Sequence, residues 1–254
     1  MKKTKTNNNK SWGEVADWYD NYLETNKDSY QEKVIAPNLI RILDIKKEMR
    51  IHDLACGQGF FSRKFASAGA VVTGSDISKE LIEQAKKHSR DIVYSVSPAH
   101  KLPFLKNNSV DAVTIVLAIQ NIAEFSETFA EAHRVLAPGG RLVLVLNHPT
   151  FRIPKRSSWD FDPKSGVQYR RIDGYLSATK NEIIMNPGKA GSETTISYHR
   201  SLQEFFKTLS KNNFAVTRLE EWISHKKSEK GPRQKAEDIA RKEIPLFMML
   251  EAKK

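Results

Sequence analysis

The sequence predicts an α/β fold built on a mainly parallel seven-stranded sheet that is flanked by helices. Between about residues 50 and 147, short apolar runs alternate with segments of helical periodicity, and glycines or prolines separate them. After residue 197 the pattern resumes with two more helices and two more strand-like runs. Repeated strand–helix alternation is typical of βαβ units, in which consecutive strands lie parallel.

The first five strands and their connecting helices follow from hydrophobic periodicity. The strands are predicted at Arg50–Leu54, Ala70–Gly74, Ile92–Val96, Val110–Leu117 and Arg141–Asn147. The helices are predicted at Phe60–Ala68, Lys79–His88 and Glu124–Leu136. Ser78 directly precedes the second of these helices, and its hydroxyl can accept a hydrogen bond from an amide of the first turn.

The remaining elements lie on both sides of this core. Two helices, around Val15–Leu23 and Gln31–Leu43, precede it, and His148–Glu193 follows it without clean periodicity. Several prolines and glycines interrupt that segment, so we expect an inserted cap after the fifth strand. Beyond it we predict a helix at Leu202–Leu209, a strand at Ala215–Ile223, a helix at Arg233–Arg241 and a strand at Leu246–Ala252.

Basic residues outnumber acidic ones, with 41 lysines and arginines against 30 aspartates and glutamates. Much of this excess lies near the two ends of the chain, where solvated charge is the simplest explanation. Nucleic-acid binding is the alternative, because basic charge attracts polyanions. The aromatic and basic residues are not interleaved, however, as they are in proteins that bind single strands.

Nothing in the sequence predicts a membrane span or an export signal. No apolar run approaches the roughly 18 residues that cross a bilayer, and no apolar stretch follows the basic N-terminus. The single cysteine, Cys56, suits a reducing compartment. We therefore expect a cytoplasmic protein, and the oligomeric state is left open.

The sharpest motif is a glycine turn after the first strand, Asp53-Leu54-Ala55-Cys56-Gly57-Gln58-Gly59. Gly57 and Gly59 permit a tight turn and let a ligand lie against the backbone, and amides at the start of the next helix face such a ligand. Asp76 ends the second strand, where a carboxylate can accept hydrogen bonds from the ribose of a nucleoside cofactor. The alternative role for Asp76 is to stabilise the start of the helix that follows it.

Two details separate this pattern from a dinucleotide site. Ser62 stands where the third glycine of Gly-x-Gly-x-x-Gly would normally allow close packing of helix on strand. Asp53 stands before the turn, where it would repel a pyrophosphate but attract a cationic sulfonium or amino group. Both details disfavour the alternative of an NAD-dependent oxidoreductase.

Five motifs in order resemble the class I S-adenosylmethionine-dependent methyltransferases, particularly the branch with the ubiquinone and menaquinone biosynthesis methyltransferases. They are Asp53–Gly59, Ser75–Ser78, Ala99–Phe104, Asp111–Asn121 and Arg134–Gly140. The resemblance implies a Rossmann-like fold, S-adenosylmethionine as cofactor and methyl transfer to an oxygen, nitrogen or carbon of a small molecule. An RNA or tRNA methyltransferase on the same fold is one alternative, and an inactive cofactor-binding scaffold is another.

Composition, periodicity and the resemblance together predict a division of the chain. A disordered tail at 1–10 precedes a single methyltransferase domain over 11–254. Within it we expect N-terminal helices at 11–48, the cofactor-binding core at 49–147, the cap with substrate residues at 148–196 and the C-terminal part of the sheet at 197–254.

Carried over position by position, the resemblance implies a set of cofactor residues. They are Tyr19, Asp53, Ala55, Gly57, Gly59, Asp76, Ile77, Pro98, Ala99 and Leu117. Asp53, Ala55 and Gly57 would surround the methionine moiety, Asp76 would bind the ribose, and Ile77 and Ala99 would contact the adenine. Ala55 departs from the family's usual glycine, and Pro98 departs from its usual acid at the adenine.

The catalytic and substrate candidates come from three places: the loops after the fourth and fifth strands, the predicted cap, and a segment before the C-terminal helix that resembles one in related enzymes. Methyl transfer from a sulfonium mainly requires the acceptor to be positioned, and a base where the acceptor carries a proton. His148 and His199 are the candidate bases, with structural hydrogen bonding as the alternative for each. The substrate candidates are Gln120, Asn121, Arg152, Tyr169, Arg170, Arg171 and Tyr175. Arginines suit carboxylate or phosphate, which favours an anionic acceptor, with solvated surface arginines as the alternative. The scattered histidines predict no metal site.

Overall fold

The computed structural model describes residues 11–185 and 192–254, so the predicted tail at 1–10 lies outside the described residues. The strands are β1 Arg50–Leu54, β2 Val71–Asp76, β3 Val93–Val96, β4 Val110–Val116, β5 Leu136–Asn147, β6 Ser157–Asp162, β7 Val167–Ile172, β8 Thr179–Ile184, β9 Thr194–His199, β10 Ala215–Trp222 and β11 Phe247–Lys253. The helices are α1 Ser11–Glu14, α2 Ala16–Thr25, α3 Ala36–Leu43, α4 Phe60–Ser67, α5 Lys79–His88, α6 Phe125–Val135, α7 Leu202–Lys211 and α8 Gln234–Glu243. A π-helical segment, Gln31–Ile35, continues into α3, and a 3₁₀ turn, Ile119–Asn121, follows β4.

Seven strands form the central sheet in the order β10-β11-β5-β4-β1-β2-β3. The first five strands pair in parallel, while β11 pairs antiparallel with both β5 and β10. This confirms the predicted Rossmann-like α/β fold with a mainly parallel seven-stranded sheet. Strand order reverses at β1, which has β2 on one side and β4 on the other. Ligands of open α/β sheets bind beyond the carboxyl ends of the strands at such a point.

Helices cover both faces of the sheet because its strands are apolar on both sides. On β5, Val143 and Val145 pack in a core with residues of α3 and α4, including the fully buried Phe65. The intervening Leu144 packs in a second core with Phe129 of α6 and residues of α7. Successive strand side chains point to opposite faces, so an unbroken apolar strand supplies both cores. The sheet is thereby a rigid platform for the loops at its edge.

The segment after β5 is more regular than its sequence predicts. It forms two antiparallel hairpins, β6–β7 and β8–β9, rather than an irregular cap. Side chains of β6, β7 and β8 are exposed or half-buried, so the apolar alternation that marks a strand is weak there. Pairing of the backbone groups does not depend on that alternation. The predicted turn residues at 186–191 lie outside the described residues.

The hydrogen bond that the sequence predicts at the start of α5 is present in the structure. The Ser78 hydroxyl accepts a bond of 3.2 Å from the amide of Leu81, which confirms the predicted cap of α5.

Within the described residues, no helix combines the length and apolar character needed to cross a bilayer.

Candidate active site

A cavity of about 430 Å³ opens beyond the carboxyl ends of β1, β2 and β4, at the reversal of strand order. The glycine turn after β1 forms one wall, and Ile77 and Ala99 form another. Trp12 of α1, Tyr19 of α2 and Ile196 of β9 also line it. Its volume falls in the usual range for small-molecule sites.

The turn after β1 winds through the left-handed region of backbone space. Ala55 has φ 58° and Gly57 has φ 56°. The region favours glycine, so Ala55 adopts it at a cost of about 1 kcal/mol. A Cβ on Gly57 would lie 3.7 Å from the ring of Tyr19, which places that ring directly over the turn. The small residues therefore keep the backbone accessible from the cavity.

Gly59 serves packing rather than the cavity. Its φ is 80°, and a Cβ there would lie 2.5 Å from the hydroxyl oxygen of Tyr94 on β3. Gly59 is also the residue from which α4 begins. All the predicted cofactor residues except Gly59 line the cavity. Gly59 supports the cavity indirectly, because its lack of a side chain lets α4 begin beside Tyr94.

Asp76 joins the two loops that form the cavity floor. One carboxylate oxygen accepts a bond of 2.9 Å from the amide of Gly57, and the other accepts 2.9 Å from the amide of Ser78. Burial raises the pKa of this carboxyl. Each carboxylate oxygen can accept more than one hydrogen bond. Asp76 can therefore hold the glycine turn, support the start of α5 and still bind a hydroxyl pair in the cavity.

Asp53 is held by two hydroxyl groups that the sequence did not identify as functional. Ser62 of α4 donates 2.6 Å to one oxygen, and Thr114 of β4 donates 3.0 Å to the other. The residue is 1% exposed, and burial raises the pKa of its carboxyl to about 6. The sequence drew attention to Ser62 only because it replaces the third glycine of the motif. In the structure it anchors Asp53, the acid before the turn. The sequence feature that could have revealed this role is a hydroxyl-bearing residue at a spacing from Asp53 that lets the two side chains meet.

The charges around the cavity are unbalanced. Asp53 and Asp76 both line it, and none of its lining residues in the described part of the chain is a lysine or arginine. A buried carboxylate without a cationic partner is costly, and a bound cation would relieve that cost. The cavity therefore suits a ligand that carries positive charge.

Part of the cavity wall comes from elements far apart in sequence. Trp12 packs edge-on against Tyr19, with ring centroids 5.5 Å apart, and burial raises the pKa of Tyr19 to about 12. Thr194 and Ile196 of β9 line the cavity as well. No local signal could have identified Trp12, Thr194 or Ile196, because tertiary packing alone brings them together.

Neither predicted base lies at the cavity. His148 is buried, its Nε2 lies 2.7 Å from a Glu221 carboxylate oxygen, and its Nδ1 accepts a bond from the amide of Thr150. Nδ1 must therefore be unprotonated and Nε2–H must be the donor. His199 Nε2 lies 2.7 Å from the carbonyl oxygen of Tyr175 and donates to it. Both rings are held by structural hydrogen bonds.

Of the predicted substrate residues, Asn121 alone lines the cavity. Its amide donates 2.8 Å to the carbonyl of Ile196 and so ties the 3₁₀ turn to β9, while Gln120 donates to the carbonyl of Leu117. The others lie elsewhere: Arg152 and Arg170 against Trp159, Arg171 paired with Asp173, Tyr169 bonded to Asp160 and Tyr175 accepting from the amide of Leu202.

One cluster of possible metal ligands lies outside the cavity. Oxygen and nitrogen atoms of Asp20, Glu24 and His88 lie within 4.8 Å of one another. His88 Nε2 is 2.7 Å from Asp20, however, and Glu24 pairs with Arg63. The sequence did not predict this cluster, because His88 is far from the other two residues along the chain. All three side chains already bond to other protein groups.

Comparison with known proteins agrees with this geometry. A family model described as a methyltransferase domain matches residues 52–144. Demethylmenaquinone methyltransferases of Streptomyces avermitilis and Renibacterium salmoninarum are 34% and 40% identical over 122 and 103 residues, or 48% and 40% of this chain and 52% and 43% of theirs. The chain thus spans about half the length of the curated relatives it matches.

A solved structure extends the likeness beyond the core. The S-adenosylmethionine-dependent methyltransferase from Mesorhizobium loti is 26% identical, with a TM-score of 0.69 over 91% of this chain and 100% of that one. The predicted resemblance is thereby confirmed, with S-adenosylmethionine as the cofactor of the family. Residues 52–144 match the methyltransferase domain model, and over most of its length the chain is similar to an S-adenosylmethionine-dependent methyltransferase of known structure.

Proposed function

We propose that this protein transfers the methyl group of S-adenosylmethionine to a small organic acceptor. The observation that carries the proposal is the cavity at the strand reversal. Two buried carboxylates and an open glycine turn meet there, and no lysine or arginine among residues 11–185 and 192–254 lines it. The cofactor carries a sulfonium and an ammonium group and supplies an electrophilic methyl group. Its positive charges complement the site.

The proposed roles of the chain's residues follow from their places around the cavity. Asp76 accepts hydrogen bonds from the ribose hydroxyls, while its bonds to Gly57 and Ser78 keep the carboxylate in place. Asp53, fixed by Ser62 and Thr114, favours the positive charge of the methionine moiety. Ile77 is 43% exposed at the cavity wall, an open apolar surface on which an adenine ring can pack.

The acceptor would enter between the N-terminal helices and β9. Trp12, Tyr19, Ile122 and Ile196 line that part of the cavity. Aromatic and aliphatic walls favour an organic acceptor with substantial apolar surface. The names of the demethylmenaquinone methyltransferase relatives support the small-molecule class over RNA. Their matches cover about half of this chain or less, so the acceptor atom is left open.

We infer that positioning and exclusion of water contribute more to the reaction than a dedicated histidine base. His148 and His199 are engaged away from the cavity. The histidine that lines it is His100, 4.0 Å from a Glu124 carboxylate oxygen. Holding acceptor and methyl donor in line can by itself supply several kcal/mol of the barrier reduction.

Incubation with cell extract and methyl-deuterated S-adenosylmethionine tests the proposal. The extract is divided into a small-molecule fraction and an RNA fraction, and each is analysed by mass spectrometry. The proposal predicts label in a small molecule with the wild-type protein and none with Asp76→Ala. Asp173→Ala, which removes an exposed acid of the cap, is the matched control and should label normally. Label in RNA alone would contradict the small-molecule assignment.

A further inference from the structure

Two arginines of the cap lie against one indole ring. The guanidinium carbons of Arg152 and Arg170 are 5.3 and 5.2 Å from the ring centroid of Trp159. Trp159 and Arg170 are directly opposite each other in the β6–β7 register. None of the three residues lines the cofactor cavity. They form a separate group, called here the arginine–indole cluster.

The cluster has no compensating acid within the described part of the chain. No carboxylate there comes within 4.0 Å of the Arg152 or Arg170 side-chain nitrogens. Arg170 donates to the carbonyl of Phe151 at 2.7 Å and to the hydroxyl of Ser157 at 2.9 Å, both neutral acceptors. Arg152 Nε is buried without a hydrogen-bond partner there. A buried donor without an acceptor destabilises the folded protein.

Like charges add to this cost. Partial burial, together with the neighbouring charges of Arg170 and Arg241, lowers the pKa of Arg152 to about 10. Arg241 approaches from α8, where its Nε donates 3.0 Å to the hydroxyl of Ser228. Contact with the indole face stabilises each cation but does not use the N–H groups in the guanidinium planes. The N–H groups of Arg170 that are not bonded to Phe151 and Ser157, and the Nε–H of Arg152, can therefore still donate. Carboxylate and phosphate oxygens match those groups in charge and in geometry.

We propose that the arginine–indole cluster is a binding site for an oxyanion, a carboxylate or phosphate group, held by Arg152 and Arg170 beside Trp159. The group belongs either to the methyl acceptor or to a separate small anion. Only the first assignment rests on the proposed methyl transfer. Arg171 has no part in the site, because it is exposed and paired with Asp173 at 3.1 Å.

Titration of the full-length protein with inorganic phosphate, and separately with acetate, at constant ionic strength tests the site. Tryptophan fluorescence is the signal, and a Trp159→Phe variant identifies the contribution of that ring. We expect a saturable change in the wild type, about a tenfold or greater loss of affinity in Arg152→Met, and an unchanged response in Arg171→Met. The absence of a saturable response, or an equal response in both variants, would overturn the proposal.

Thermal unfolding of the same proteins gives an independent result. Phosphate should raise the unfolding temperature of the wild type. Without phosphate, Arg152→Met should unfold at a higher temperature than the wild type, because like-charge repulsion and an unpaired donor are removed, and phosphate should then have no effect. A lower temperature for Arg152→Met together with equal phosphate effects would mean a purely structural role.

Two further measurements separate this site from the proposed activity and identify the source of the anion. Binding of S-adenosylmethionine to Arg152→Met should equal that of the wild type, so failure of the cluster would leave the cofactor site intact. Phosphate that competes with the acceptor in turnover assigns the oxyanion to the acceptor. Phosphate that binds without competing assigns it to a separate ligand.

Discussion

The hydroxyl of Ser62 donates a hydrogen bond of 2.6 Å to the Asp53 carboxylate, so a residue of α4 fixes the acid next to the end of β1. Thr114 completes the arrangement from β4 at 3.0 Å. Both partners are neutral, so the carboxylate keeps its negative charge uncompensated by protein cations. An arginine or lysine in either place would anchor Asp53 equally well but would remove the attraction for a cationic ligand.

Removing the Ser62 hydroxyl should weaken cofactor binding. A hydrogen bond to a charged group contributes about 1.5–3 kcal/mol, so Ser62→Ala should bind S-adenosylmethionine about tenfold or more weakly by calorimetry. Ser67→Ala, on the exposed face of the same helix, is the matched control and should bind as the wild type does. Equal affinities for Ser62→Ala and the wild type would refute this role.

The pH dependence of stability should change with Asp53. Burial raises its carboxyl pKa from 3.8 to about 6 in the folded protein, so its contribution to stability is fully present below pH 3.8 and is lost as the pH rises through 6. Asp53→Asn should therefore raise the unfolding free energy of the ligand-free protein at pH 8, by on the order of 2–3 kcal/mol. That gain should shrink towards pH 4. Urea unfolding across this pH range measures it, and a variant less stable than the wild type at pH 8 would contradict the account.

Cofactor affinity should depend on the same carboxyl group. Protonation of Asp53 removes the charge that favours a cation, so the dissociation constant for S-adenosylmethionine should rise as the pH falls below about 6. Asp53→Asn should bind weakly at every pH and show a flatter profile. Calorimetric titration at several pH values gives both curves. A wild-type profile as flat as that of the variant would be evidence against the assignment.

Gly59 and Tyr94 should be energetically coupled. A Cβ on Gly59 would lie 2.5 Å from the Tyr94 hydroxyl oxygen, and that oxygen is buried without a hydrogen-bond partner in the described part of the chain. Gly59→Ala should cost about 2 kcal/mol or more of stability, while Tyr94→Phe should be nearly neutral. In the double variant the cost of the alanine should fall by about 1 kcal/mol. Chemical denaturation of all four proteins measures the coupling, and strictly additive effects would exclude it.

Arg200 should act as a positioning residue for the cavity wall. Its guanidinium donates to the carbonyl of Ile122 at 2.8 Å and lies 4.2 Å from the ring of Phe125. It thereby holds the turn that carries Asn121. Arg200→Lys keeps the charge but loses the planar guanidinium group with its several N–H donors. We therefore expect kcat/KM to fall by about tenfold while cofactor affinity changes less. Unchanged kcat/KM in a folded Arg200→Lys protein would remove Arg200 from the account.

The sheet and the position of the cavity were predictable because the sequence signals for them are local. Most core strands are short apolar runs followed by a helix. Gly57 lies in the turn after β1 and Asp76 ends β2, and the carboxyl ends of these two strands meet at one edge of the sheet. Side-chain direction is not a local property. His148 follows β5 at the correct edge, yet its ring turns to Glu221 on β10. Trp12 and Ile196 meet only through tertiary packing, and the hairpins β6–β7 and β8–β9 lack the apolar alternation that reveals a strand.

Calorimetric titration of the wild type and Asp76→Ala with S-adenosylmethionine and S-adenosylhomocysteine tests the central claim most directly. The account predicts that the wild type binds both nucleosides at a single site, and that Asp76→Ala binds them about 100-fold more weakly because two charged hydrogen bonds to the ribose are lost. A wild-type protein that binds neither compound, or an Asp76→Ala variant with undiminished affinity, would contradict it.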